Sequence, residues 1–142
     1  MKNEFLAKSI QETELVGREI ASRLSFPGCL YLHGQMGSGK TTLTKAILKG
    51  LGVASDVTSP TYNLIQEYPV KNGIIYHMDL YRLEEADELE YLALGDLWNT
   101  DSLFIVEWPE KGQGHLPSAN VDVYLKIIGE VSEGQRNIVL KM

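Results

Sequence analysis

Cysteine is nearly missing from this 142-residue chain, in which Cys29 stands alone. A single thiol excludes intramolecular disulfides and any zinc site built from cysteines, and it suits a reducing, cytoplasmic setting. Long apolar runs are missing too, and none approaches the roughly 20 residues that a membrane helix needs. The N-terminal Met1-Lys2-Asn3-Glu4-Phe5 lacks an apolar segment with a small-residue cleavage site, so no secretory signal is expected. Positive charge is short: 13 Lys and Arg stand against 19 Asp and Glu, a net charge of −6. That balance is poor for gripping a nucleic-acid backbone unaided. Repeats, low-complexity tracts and linker-like segments are also absent. What remains is an ordinary globular composition, 44% apolar and 23% charged, of a length that suits one domain spanning residues 1–142.

Gly and Pro punctuate the chain at short intervals. Ser9 and Glu12 form an S-x-x-E capping box, and Ile10, Val16, Ile20 and Leu24 follow at helical spacing, predicting a helix from Ser9 to about Ser25. Pro27-Gly28 ends it, and Cys29 to His33 reads as a short buried strand. A glycine-rich loop, Gly34 to Gly39, leads into a helix from Lys40 to about Leu51. Asp56 to Thr61 is a polar loop. Asn63 to Tyr68 and Ile74 to Met78 flank Asn72-Gly73, a hairpin signal. Glu84 to Leu94 reads as a helix with an acidic, solvated face. Leu103 to Val106 is an apolar strand ending at Glu107. Val121 to Ile127 alternates as a half-buried strand, and Asn137 to Lys141 forms a last one after a turn near Gly134. The expected fold is α/β: a P-loop NTPase-type, mostly parallel sheet flanked by helices, with antiparallel hairpin additions.

Gly34-Gln35-Met36-Gly37-Ser38-Gly39-Lys40-Thr41 fits G-x-x-x-x-G-K-[ST], the Walker A pattern, which chance supplies in on the order of 1 in 200 chains of this length. Its place between a predicted strand and a predicted helix is the context the pattern requires. The alternative is a glycine-rich turn capping an ordinary helix. Glycines let the loop curl so that successive N–H groups face an oligophosphate, and the helix adds its positive end. Gly34, Gly37, Ser38 and Gly39 are expected to form this cradle. Lys40 is expected to reach the β- and γ-phosphates, and Thr41 to place its hydroxyl on Mg²⁺.

Phosphoryl chemistry also needs an acid at the end of an apolar strand. Ile74 to Met78 leads to Asp79, and Leu103 to Val106 leads to Glu107. The second run is purer, as a central parallel strand should be, so Glu107 is the favoured metal-side carboxylate, acting through a water. Asp79 is left to orient the attacking water or to hold the metal's other face, and which of the two touches the metal stays open. Ser59-Pro60-Thr61-Tyr62 occupies the place of a γ-phosphate-sensing loop. Trp108, next to Glu107, should lie near the site, stacked on the nucleotide, stacked on a partner, or in the core. His33, His77 and His115 show no metal-ligand spacing and read as structural or solvated.

Two absences narrow the chemistry. The guanine-reading N-K-x-D and the second-switch D-x-x-G do not occur, which favours ATP over GTP. Arginine is limited to Arg18, Arg23, Arg82 and Arg136, too few for the clamp of a small-molecule kinase. An ATPase working on a partner is the first reading. A nucleotide-binding switch and a small-molecule kinase are the alternatives.

The strings GQMGSGKTT, SPTYNLIQEY, HMDLYRL and VEWPEK, in that order, resemble the TsaE (YjeE) family, ATPases needed for the threonylcarbamoyl modification of tRNA adenosine. The resemblance implies that Gly37 to Thr42 bind ATP phosphates, with Thr41 and Glu107 on Mg²⁺. It implies that Asp79 is required for hydrolysis, that Thr61 sits in a switch-like loop and that Trp108 lies close enough to report on nucleotide. Thr13 and Arg136 are the nearest candidates for the adenine side. It further implies a cytoplasmic protein that binds the TsaB–TsaD pair and resets it between turnovers, meeting tRNA only through that pair.

Overall fold

The computed structural model describes residues 2–54, 64–130 and 134–142. Seven strands form one sheet: β1 (Glu4–Ala7), β2 (Gly28–His33), β3 (Ile65–Val70), β4 (Gly73–Asp79), β5 (Ser102–Glu107), β6 (Val121–Ile127) and β7 (Arg136–Lys141). Their order is β1-β7-β6-β2-β5-β4-β3. The four central strands, β6, β2, β5 and β4, run parallel, and the outer pairings β1–β7, β6–β7 and β3–β4 are antiparallel. This is the expected α/β arrangement.

β5 is apolar from Leu103 to Val106 because both its faces are covered, and all six of its residues are buried. On one face, α1 (Ile10–Ser22) and α2 (Lys40–Gly50) join Leu30, Leu32, Leu103 and Ile105 in a core with Ile20, Leu43 and Ile47. The alternate residues Cys29, Tyr76, Met78, Phe104 and Val106 form a second core on the opposite face with Leu83, Leu89 and Leu94. The two helices approach closely because small residues meet between them. A Cβ on Gly17 would stand 2.5 Å from the Cβ of Ala46, and one on Gly50 would stand 2.8 Å from that of Ala21.

Ser9 caps α1 as expected, accepting the Glu12 N–H at 3.1 Å, while the Glu12 carboxylate accepts from Lys8 N–H at 3.3 Å rather than from Ser9. The helix stops at Ser22, short of Ser25. Strand β1 was not foreseen. Its four residues carry no alternation long enough to register, and it forms by pairing with β7.

Two expectations need correction. Glu84 to Leu94 is not an α-helix: a 3-10 helix covers Ala86–Leu92, and a single α-turn, α3, covers Leu94–Leu97. Like charges explain the loss, since Glu84, Asp87, Glu88 and Glu90 would face one another at helical i,i+3 and i,i+4 spacings. Ala93, with φ 48°, breaks the path between the two turns. The β3–β4 turn is Lys71-Asn72, because Val70 already pairs with Gly73. Gly73 (φ 150°) is required instead by crowding, since a Cβ there would lie 1.9 Å from the Asp101 carbonyl oxygen. Gly73→Ala should therefore lower unfolding stability by about 1–3 kcal/mol, the usual range for overpacking, as read from urea unfolding curves.

Candidate functional site: a glycine-rich loop facing two strand-end acids

The loop between β2 and α2 turns on two left-handed glycines, Gly37 at φ 80° and Gly39 at φ 101°. Gly39 is the N-cap of α2, and Ser38 N–H bonds back to the Gln35 carbonyl at 3.1 Å. This curl opens onto a cavity of about 430 Å³, which Gly37, Gly39, Lys40, Thr41 and Thr42 line on the loop side. Asp79, Glu107 and Trp108 line it from the sheet, and Thr13 and Arg136 complete it from α1 and β7. Gly34 and Ser38 are not in the lining. The Gly34 carbonyl accepts from the Lys40 ammonium, and Ser38 is fully buried beneath the loop. Thr61 lies outside the described residues.

The parallel sheet explains why the two acids meet. Asp79 ends β4 and Glu107 ends β5, and they are register partners. Side chains alternate along a strand, so Asp79 lies on the same face as Ile75, and Glu107 on that of Leu103 and Ile105. That is the face α1 and α2 cover. Open α/β sheets place ligands at the carboxyl ends of their strands, and here both acids lie there.

Electrostatics tie the walls together. Lys40 is buried at 6% exposure, with its ammonium 3.4 Å from the centroid of the Trp108 ring. Burial pushes this amine below its ordinary value, and the charges of Glu107, Glu110 and Asp79 oppose the shift. Burial raises the Asp79 carboxyl, with Glu107 adding to the rise, while the Tyr81 N–H, donating to Oδ1 at 3.1 Å, works against it. Trp108 holds a left-handed backbone (φ 58°) and contacts the Tyr81 ring at 5.1 Å.

His77 is the residue that spacing rules overlooked. It is buried, and its Nε2 lies 2.6 Å from Glu107 Oε2. Alternation puts His77 on the face of Asp79, but only the pairing of β4 with β5 brings it to Glu107. Ile10, Met36 and Tyr81 also line the cavity without having been anticipated. Met36 and Tyr81 stand inside the strings GQMGSGKTT and HMDLYRL without being singled out, and Ile10 is an apolar residue with no chemical signature in sequence.

A strand, a Walker A loop and a helix on a parallel sheet, with acids at neighbouring strand ends, define a P-loop-type protein. Residues 7–138 match the family model described as "Threonylcarbamoyl adenosine biosynthesis protein TsaE". The chain belongs to the TsaE family. It is 45% identical to the tRNA threonylcarbamoyladenosine biosynthesis protein TsaE of Haemophilus influenzae over 119 residues, covering 78% of this chain and 75% of the relative. It is 35% identical to the Bacillus subtilis protein of the same name over 122 residues, covering 84% and 75%. The crystal structure of Bacillus subtilis YdiB superposes with a TM-score of 0.75 at 27% identity, covering 96% of this chain and 82% of that one.

The raised Asp79 carboxyl has a stability consequence. Ionising it costs the folded chain more than the unfolded one, so stability falls as pH rises from the unfolded aspartate value through the folded one. Asp79→Asn cannot ionise and retains the acceptor for Tyr81 N–H. Without nucleotide or divalent cation, the variant should be more stable than the parent at neutral pH. That advantage should vanish below about pH 3.9, the unfolded value. Urea unfolding at both pH values checks this.

Proposed function

We propose that this chain is a Mg²⁺-dependent ATPase that supports the threonylcarbamoyl modification of tRNA adenosine, acting on a TsaB–TsaD pair rather than transferring the group itself. The observation that carries the reading is the facing of the α2 N-terminus, Lys40 and Thr41 by Asp79 and Glu107 across one cavity. The family's description and its relatives' names supply the pathway.

The donor set suits magnesium: the Thr41 hydroxyl and the Asp79 and Glu107 carboxylates are all hard oxygen ligands. When bound there, the ion supplies charge neutralisation at the phosphoryl oxygens. Lys40 exchanges the Gly34 carbonyl and the Trp108 face for phosphate oxygens. Asp79 orients a water for in-line attack on the γ-phosphorus and accepts its proton; the bond to the bridging oxygen breaks, and ADP and phosphate leave. His77 holds the Glu107 carboxylate, while Trp108 and Tyr81 shield the cavity from water. Thr13 lies toward the adenine side, and Thr61 belongs to a loop that senses the γ-phosphate. Among the described residues the cavity's one arginine, Arg136, bonds loop carbonyls, which leaves no arginine finger and makes turnover slow without partners. The working site is cytoplasmic, and tRNA meets the chain through the partner pair.

ATP hydrolysis with Mg²⁺ should be slow for the protein alone, rise on adding TsaB–TsaD, and vanish in Lys40→Ala. Asp79→Ala should still bind ATP but lose hydrolysis by on the order of 100-fold or more, the usual share of a proton-handling group. An Asp79→Ala protein that supports tRNA modification at the parent's rate would show that nucleotide binding alone carries the signal. Unchanged hydrolysis on adding the pair would remove the partner assignment.

A further inference from the structure

Arg136 opens β7 and is buried at 7% exposure. Its Nε donates to the Ser38 carbonyl at 2.7 Å, its Nη2 to the Gly37 carbonyl at 3.1 Å and its Nη1 to the Gln135 carbonyl at 2.8 Å. All three acceptors are neutral. Among the described residues no carboxylate comes within ion-pair distance of it. Burying a cation without a counter-ion is costly, and this one stands beside the positive end of α2, where a Cβ on Gly39 would be 3.6 Å from Nε. An apolar side chain would avoid that cost but could bond none of the three carbonyls.

Peptide geometry shows what the fork does. A trans peptide unit points its carbonyl and the next N–H in opposite directions. Holding the Gly37 and Ser38 carbonyls toward the guanidinium therefore turns the N–H groups of Ser38 and Gly39 to the other side of the loop. Ser38 N–H accordingly reaches the Gln35 carbonyl and closes the curl.

We propose that Arg136 is a positioning residue that fixes the curl of the phosphate loop, so that its contribution to binding is to the oligophosphate and not to the base. The inference rests on the reading that this cavity takes a nucleotide. It makes the C-terminal hairpin part of the phosphate site, across 98 residues of sequence.

The test compares ATP with inorganic tripolyphosphate, which has no base, by calorimetry on the parent protein, Arg136→Gln and Arg136→Lys. A second readout is amide hydrogen exchange over residues 36–39 against the β5 amides. Both ligands should weaken by the same factor, tenfold or more, in Arg136→Gln. Lysine should not rescue, because an ammonium cannot span two carbonyls as a fork. Loop amides should exchange at least tenfold faster while β5 stays protected. Should Arg136→Gln fail to fold, Arg136→Lys carries both comparisons. Loss of ATP binding with tripolyphosphate unaffected would overturn the proposal in favour of a base contact, and unchanged loop exchange would overturn it as well. A parent protein that binds neither ligand would sink the nucleotide reading instead, and the exchange data would still decide the brace.

Discussion

Two cations, Lys40 and Arg136, are buried at the positive end of one helix, and the rest of the site answers to that concentration of charge. A helix N-terminus already carries about half a positive charge. Adding a buried ammonium and a guanidinium is unfavourable unless neighbours supply negative potential. The chain supplies it in three forms: the carbonyls of Gly34, Gly37 and Ser38, the face of Trp108, and the carboxylates of Glu107 and Asp79. The carbonyls and the ring are weak partners for a full charge. The oligophosphate of the proposed function would be a stronger one.

The fold exists to hold this arrangement still. Close approach of α1 and α2 through Gly17, Ala46, Ala21 and Gly50 puts Thr13 beside the α2 N-terminus. The β4–β5 register brings Asp79 opposite Glu107, and the His77–Glu107 bond keeps the buried carboxylate in one orientation. Strand β7, between β1 and β6, then reaches the loop through Arg136. Cores on both faces of the sheet, rather than the loop itself, set these distances.

Much of this was legible in the residues. The Walker A string, the apolar run before it and the helical spacing after it place the loop, and Asp79 and Glu107 stand out as acids that end apolar strands. What stayed hidden depends on partners distant in sequence. Strand β1 has no pattern of its own and forms against β7. Gly73 looks like a turn glycine, yet the Asp101 carbonyl decides its place. The acidic stretch after Glu84 has helix-forming composition, but its charges oppose the α-helical spacing and it settles into shorter turns. His77 carries no metal-ligand spacing, and only the parallel pairing of β4 with β5 brings it to Glu107. Arg136 looks like one basic residue before the last strand until the sheet order carries it to the loop.

The most direct test of this account is the unfolding free energy of the parent protein and Lys40→Met, each with and without Mg²⁺ and ATP. Removing the ammonium relieves the crowded positive end, so the variant should be at least as stable as the parent without ligand. The parent should then gain about 2.7 kcal/mol at an ATP concentration 100 times its Kd, and the variant should gain almost nothing. A variant that is markedly less stable without ligand, yet gains as much from ATP as the parent, would contradict the claim that this cavity is organised around a buried lysine awaiting phosphate.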